Sequence, residues 1–166
     1  VRVTVTGATG LVGPRLLAAL RARGDEVTVL SRDPRRAQAR LGEQALTWDL
    51  SSGPAPKEAL QGHDAIVHLA GEPVAQRWTA SAKRAIRDSR VIGTRHLLEG
   101  LEACAEKERP RVLVSASAIG YYGTHGSEPL DEEAPAGQDF LAQTCSAWEA
   151  EAQAAEQLGV RVVRLR

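Results

Sequence analysis

The chain has no excess of charge of either sign: 21 Lys and Arg stand against 21 Asp and Glu in 166 residues. That balance gives no basic face, so nucleic acid is not an expected partner. Cysteine is scarce. Cys104 and Cys145 both fall in helical patterns, which provides neither a disulfide framework nor a paired metal site and points to a reducing, cytoplasmic location. The four histidines, His63, His68, His96 and His125, are scattered without metal-ligand spacing, and no metal is expected. No apolar run reaches membrane length, and no leader-like segment precedes the first strand, so no membrane partner is expected. There is no internal repeat and no low-complexity tract. What the chain does have is a hydrophobic content of 43%, enough for the core of the one domain its length allows.

The opening stretch, Val1 to Gly13, organises the rest. Val1, Val3 and Val5 alternate, as in a strand. A glycine turn follows, and then Leu11, Val12, Leu16, Leu17 and Leu20 fall on one helical face. Strand, glycine turn and helix within twenty residues form the mononucleotide-binding opening of a doubly wound α/β fold. Gly7 lets the chain leave the strand sharply. Gly10 lets a ligand approach the backbone, and Gly13 lets the helix pack close to the strand. The helix start presents free N–H groups and positive dipole charge, which suit a diphosphate. The turn residues Gly7, Thr9, Gly10, Leu11, Val12 and Gly13 are the expected contacts.

Strands and helices then alternate. Pro14 sits in the first helical turn and Gly24 stops that helix. Further strands are expected at Glu26 to Leu30, Gln44 to Trp48, Asp64 to Leu69, Arg111 to Ser115 and Val160 to Leu165. Short helices are expected up to Leu41 and near Lys57 to Leu60. A long helix is expected from Ala80 to Lys107, with a break near Asp88, and another from Asp139 to Gln157. This alternation implies a Rossmann-like parallel sheet with right-handed crossovers in the order 3-2-1-4-5-6. The chain stops on a strand, which a domain seldom does. Residues 1–166 are therefore expected to be the N-terminal NAD(P)-binding domain of a longer protein, its C-terminal substrate domain missing from this chain.

The second strand ends Leu30-Ser31-Arg32, with no acid before Asp33 and with Arg35 and Arg36 nearby. A carboxylate there would repel a 2′-phosphate, whereas Ser and Arg donate to it, so NADP(H) is expected over NAD(H). Asp49, at the end of strand three, is placed either to accept from the adenine amino group or to serve as a turn residue. Ligands sit beyond the carboxyl ends of the strands. Ala70 and Gly71 should therefore allow close approach to the middle of the cofactor; Glu72 is placed either to accept from a ribose hydroxyl or as ordinary loop charge, and Arg77 either to reach the pyrophosphate or as ordinary loop charge.

With Gly7-xx-Gly10-xx-Gly13, Asp49-Leu50, His68-Leu69-Ala70-Gly71, Gly93-Thr94 and Tyr122-Gly123 in this order, the chain resembles the extended short-chain dehydrogenase/reductases, among them nucleotide-sugar epimerases. The run Ser115 to Gly123, then Asp139-Phe140-Leu141-Ala142, then Cys145-xx-Trp148-Glu149, is similar to the atypical "epimerase family" branch. The resemblance covers essentially the whole chain. It implies NADP(H), a small-molecule substrate such as a nucleotide sugar, and cofactor roles for Ser31, Arg32, Asp49, Leu50, Glu72 and Arg77. It also marks departures. The wider family uses a Tyr-xxx-Lys pair on the helix after strand five, and the matching positions here are Cys145 and Glu149. A carboxylate raises a neighbouring thiol's pKa rather than lowering it. Arg90 stands where the wider family often has Asn. Ser117 matches the active-site Ser and is expected to hold a substrate oxygen, while Cys145, or Tyr121 or Tyr122 in the loop, handles the proton; the other reading of Cys145 is core packing. The alternative is a non-catalytic NADP(H)-binding redox sensor or scaffold. The resemblance further implies a homodimer through the two long helices; Ala147, Ala150, Ala154 and Ala155 would allow close approach there and would equally suit packing on the sheet.

Overall fold

The computed structural model describes residues 1–166. Six strands, β1 (Arg2–Thr6), β2 (Glu26–Ser31), β3 (Gln44–Thr47), β4 (Ala65–His68), β5 (Val112–Ala116) and β6 (Arg161–Leu165), form one sheet in the order β3-β2-β1-β4-β5-β6. Every neighbouring pair is parallel. The expected order holds, and the chain direction reverses across the sheet between β1 and β4. That reversal opens a crevice at the carboxyl ends of those two strands, where loops cannot cross.

The connecting helices are α1 (Gly13–Ala22), α2 (Pro34–Leu41), α3 (Ala80–Glu102) and α4 (Phe140–Gln153). Strand alternation sorts side chains to two cores. Val3, Val5, Val27 and Val29 meet Leu17, Leu20 and Ala37 on the α1–α2 face. Ile66 and Leu113 meet Leu97, Leu101 and Ala155 on the opposite face, which α3 and α4 cover together. Both faces are covered, so β1 from Val3 to Thr6 and β2 from Val27 to Leu30 are buried on both sides, while β4 and β5 alternate half-buried and buried positions. None of these helices is long and apolar enough to cross a membrane.

Several boundaries differ from the sequence expectation. α1 begins at Gly13 rather than Leu11, because Gly7 to Val12 are spent in the turn, where Gly10 N–H donates to the Gly7 carbonyl at 3.0 Å. The short helix near Lys57 is a single 3₁₀ turn, Lys57–Ala59. α3 is unbroken through Asp88 and stops at Glu102, five residues before Lys107. Asp88 lies within the helix and faces the crevice, so the polar residue that suggested a break is a site-facing residue. α4 starts after its N-cap Asp139, whose carboxylate accepts from Ala142 N–H at 2.9 Å. It passes into a 3₁₀ turn, Ala154–Leu158, that Gly159 closes.

Candidate functional site

A cavity of about 560 Å³ opens at the crevice between β1 and β4. Its volume lies in the range of roughly 300–1,000 Å³ usual for small-molecule sites. Thr6, Gly7, Thr9 and Gly10 line it from the β1–α1 turn, Leu69, Ala70, Gly71 and Glu72 from the loop after β4, and Ala85, Asp88, Ser89 and Ile92 from α3. Leu30, Ser31, Arg32, Trp48, Asp49, Leu50 and Ser51 line the end formed by β2 and β3. The glycines divide their work. Gly7 has φ +69°, and a Cβ there would stand 2.7 Å from the backbone of Leu69 and Ala70. A Cβ on Gly13 would stand 1.9 Å from the Ala8 carbonyl oxygen. A Cβ on Gly10 would meet only the Gly7 oxygen, at 3.2 Å, and would occupy the cradle itself. The glycine turn therefore leaves a cradle that fits a diphosphate.

At the β2–β3 end, Arg32 is exposed at the cavity rim and no acid ends β2. Asp49 Oδ1 accepts from Ser51 N–H at 2.9 Å and from Ser51 Oγ at 2.8 Å. The Ser51 backbone bond, then the Ser51 hydroxyl, hold the carboxyl below its ordinary value. Asp49 is thus a turn residue through Oδ1 and also lines the cavity.

The floor is fixed by a buried polar relay. Thr6 Oγ1 accepts from Ala70 N–H at 3.2 Å and lies 2.7 Å from His68 Nδ1. His68 Nε2 lies 3.2 Å from Thr94 Oγ1 on α3. With the Thr6 hydroxyl proton given to Nδ1, His68 carries its own proton on Nε2 and donates to Thr94. Burial lowers the His68 pKa to about 4, so the ring is neutral. The loop that follows is held from α3. Glu72 N–H donates to Ser89 Oγ at 2.9 Å, and Arg90 Nη1 donates to the Glu72 carbonyl at 3.0 Å. The guanidinium carbon would lie 3.2 Å from a Cβ on Gly71.

Beside this cavity lies a second cluster. Ser117 Oγ donates to Glu149 Oε1 at 2.6 Å. Glu149 is only 4% exposed. Arg166 grips it with two bonds, Nε to Oε1 and Nη2 to Oε2, both 2.8 Å, and Arg164 adds a contact at 3.4 Å. Burial pushes the carboxyl up, but hydrogen bonds from Arg166 and Ser117 and the two arginine charges outweigh it and keep it below its ordinary value. Arg166 also donates to the Tyr122 hydroxyl at 3.2 Å and stacks 3.6 Å from the Tyr121 ring centre. Cys145 is buried, and burial pushes its thiol up, against the pull of the Arg90 charge.

The structure thus brings Gly7, Thr9, Gly10, Ser31, Arg32, Asp49, Leu50, Ala70, Gly71 and Glu72 to one cavity. Leu11, Val12, Gly13 and Arg77 stand outside its lining. Leu11 is 91% and Val12 59% exposed, Gly13 packs on Ala8, and Arg77 is a solvent-facing loop residue. Ser117, Tyr121 and Cys145 gather beside Glu149 rather than on the cavity wall. Ala85, Ser89, Ile92 and Trp48 were missed. A helical spacing of Ala85, Ser89 and Ile92 was present, but an Ala, a Ser and an Ile carry no chemical signal. The Glu149–Arg166 pair was missed because it joins α4 to the end of β6, a contact that no local pattern encodes.

The chain is similar to known proteins over nearly its whole length. The model of the NAD dependent epimerase/dehydratase family matches residues 3–166. The epimerase family protein SDR39U1 homolog, chloroplastic, of Arabidopsis thaliana is 38% identical over 165 residues, 99% of this chain and 47% of its own length. An epimerase family protein of Mycobacterium bovis is 42% identical over 165 residues, 99% of this chain and 52% of its own. Human epimerase family protein SDR39U1 (isoform 2), solved with NADPH, is 31% identical with a TM-score of 0.78 over 100% of this chain and 53% of that one. The nucleoside-diphosphate sugar epimerase from Corynebacterium glutamicum is 41% identical with a TM-score of 0.79 over 99% of this chain and 33% of that one. The chain spans about half the length of the curated relatives it matches. The glycine cradle at the β1–β4 switch point and a match running from residue 3 to residue 166 agree: the chain belongs to the NAD dependent epimerase/dehydratase family.

Proposed function

We propose that residues 1–166 are the NADP(H)-binding part of a short-chain dehydrogenase/reductase-type protein that oxidises, reduces or epimerises a carbinol on a nucleotide-sugar-like substrate. The observation that carries the cofactor choice is Arg32 beside Ser31 at the cavity rim, with no carboxylate at the end of β2. A guanidinium there recognises a 2′-phosphate, and a carboxylate would recognise the free hydroxyl. The human relative solved with NADPH supports the same choice. The nucleotide-sugar epimerase likeness supports the substrate class. Bound here, the nicotinamide supplies or accepts hydride. Gly7, Thr9 and Gly10 hold the diphosphate, Glu72 accepts from a ribose hydroxyl, Ser117 holds the substrate oxygen, and Cys145 or Tyr121 moves the proton. We place the protein in the cytoplasm, as a homodimer through α3 and α4; of the alanines expected at that contact Ala150 is exposed, whereas Ala155 is buried in the core and Ala154 packs against it.

Fluorescence titration with NADPH and NADH tests the cofactor. Tighter binding of NADPH is expected, and binding of neither overturns the reading. Epimerisation regenerates its cofactor, so product analysis across a nucleotide-sugar panel must accompany absorbance measurements. The Glu149–Arg166 ion pair, in the position of the family's Lys, favours a second reading, a non-catalytic NADP(H) sensor or scaffold. Tight NADPH binding with no product from any member of the panel would select it.

A further inference from the structure

The loops that border the cavity from β3 and from β4 are both fastened to α3. Glu72 is gripped at each of its backbone groups: its N–H donates to Ser89 Oγ at 2.9 Å, and its carbonyl accepts from Arg90 Nη1 at 3.0 Å. Both grips are braced on one helix carbonyl, since Ser89 Oγ and Arg90 Nη1 each also donate to Ile86 at 3.0 Å. The guanidinium sits between two surfaces. Its carbon lies 5.1 Å from the centre of the Trp148 ring on α4 and would stand 3.2 Å from a Cβ on Gly71. From Gly71 to Trp78 the other hydrogen bonds are internal to the loop, so Ser89 and Arg90 are its hydrogen-bonded hold on the fold. His96 follows Ser89 on α3 by two turns, about 10 Å along the axis. There Nδ1 donates to the Leu50 carbonyl at 2.6 Å, which fixes a proton on that nitrogen. The His96 carbonyl accepts from Ala55 N–H at 3.0 Å, and a Cβ on Gly93 would stand 2.9 Å from the Leu50 side chain. Leu50 and Glu72 both line the cavity, as does Ser89 itself.

We propose that α3 sets the spacing of the two halves of the cofactor cavity, with Arg90 the positioning residue for the nicotinamide half and His96 the positioning residue for the adenosine half. The proposal rests on the nicotinamide-cofactor reading given above. In a doubly wound sheet each half of the fold takes one mononucleotide. The half built on β1 to β3 carries Arg32 and Leu50, and the half that begins at β4 carries Gly71 and Glu72. A loop already held in place need not be ordered when the ligand arrives, so a grip on its backbone acts on affinity without touching the ligand. The Arg90 bond to Glu72 has a charged donor and belongs to the stronger class of hydrogen bonds. The departure at Arg90 from the wider family's Asn then has a use: a long side chain reaches from α3 to the carbonyl of the loop. Because the two grips lie two turns apart on one rigid helix, each acts on its own end of the cavity.

Two ligands separate the halves. 2′,5′-ADP has the adenosine and the 2′-phosphate but no nicotinamide, so it reads the β1–β3 half alone, whereas NADPH reads both. Each is titrated calorimetrically into the full-length protein. Arg90→Met loses the donor and keeps contact with Trp148. It should weaken NADPH binding about tenfold and leave 2′,5′-ADP binding within about twofold. Arg90→Lys should recover most of the lost affinity. Ser89→Ala, which frees the Glu72 N–H, should show the same pattern and serves if Arg90→Met does not fold. His96→Phe should weaken both ligands about fivefold. His96→Asn, whose amide nitrogen takes the place of Nδ1, should restore them, and His96→Leu serves if the phenylalanine variant does not fold. A merely structural Arg90 would lower both ligands together. That result overturns the proposal, as does unchanged NADPH binding in either loss variant or failure of the conservative variants to rescue. Native protein that binds both ligands while the Arg90 variants lower them alike overturns this proposal alone, whereas native protein that binds neither overturns the cofactor reading beneath it.

Discussion

A methyl group at Gly10 would meet nothing but the Gly7 oxygen, whereas at Gly13 it would collide with the Ala8 carbonyl. The two substitutions should therefore separate binding from folding. Gly13→Ala is expected to cost roughly 1–3 kcal/mol through overpacking, read as a lower urea midpoint. Gly10→Ala should leave that midpoint nearly unchanged and weaken NADPH binding at least tenfold, because the methyl fills the cradle. Equal stability loss in both would show that the turn serves only packing. Arg32 is the other residue whose placement at the cavity was legible. It stands next to the strand end in sequence, so its distance from the site is fixed by the strand itself. Arg32→Asp removes a charge-assisted contact of about 1.5–3 kcal/mol and adds repulsion. NADPH affinity should fall by roughly tenfold or more, with NADH affinity held or improved, in the same fluorescence titration. Arg90 and Glu149 were visible in the sequence only as departures from a pattern. What each one touches depends on how α3, α4 and β6 pack, and a helix period does not record that.

The elements were more readable than their ends. Valine alternation and glycine stops fixed six strands and their order, since a parallel sheet with right-handed crossovers leaves few alternatives. The expected break at Asp88 failed because a polar residue in a helix signals an end only when its side chain caps the backbone, and Asp88 faces the crevice. The relay joining β1, β4 and α3 through Thr6, His68 and Thr94 was hidden for a similar reason: a buried histidine reads like any strand residue. That relay makes stability depend on pH. His68 is fully buried and neutral, with its pKa lowered from 6.5 to about 4. The unfolded chain binds a proton below about pH 6.5 and the folded one does not, so the stabilisation is complete above that value and lost as pH falls toward 4. The loss from this group should approach about 3 kcal/mol. His63, lowered chiefly by burial, acts in the same direction. Urea unfolding at pH 7 and pH 5 should show the decline, and His68→Gln should flatten it. An equally steep decline in that variant would assign the effect elsewhere. α4 is anchored differently. Glu149→Ala would leave the half-buried Arg166 without its partner, and about 1.5–3 kcal/mol of stability should be lost, measured by urea unfolding at neutral pH.

At the scale of the whole molecule, one cavity touches the turn after β1, the ends of β2 and β3, the loop after β4 and the inner face of α3. A ligand lying along it would tie together both halves of the sheet, which otherwise meet only through the β1–β4 pairing and the layers above and below. Binding restricted to the folded state must then stabilise the entire cooperative unit by mass action. With free NADPH at a hundred times its dissociation constant, the gain is about 2.7 kcal/mol. For a chain of this length that raises the melting temperature by roughly 5–10 °C. NADH at the same concentration should give a clearly smaller rise, because it lacks the phosphate that Arg32 is proposed to recognise, and Arg32→Asp should bring the NADPH rise down to the NADH level. Calorimetry or thermal fluorescence measures all three. An NADPH rise that survives Arg32→Asp intact would place the phosphate elsewhere. The cavity would still be a dinucleotide site, but its selectivity would have to come from residues other than those at the end of β2.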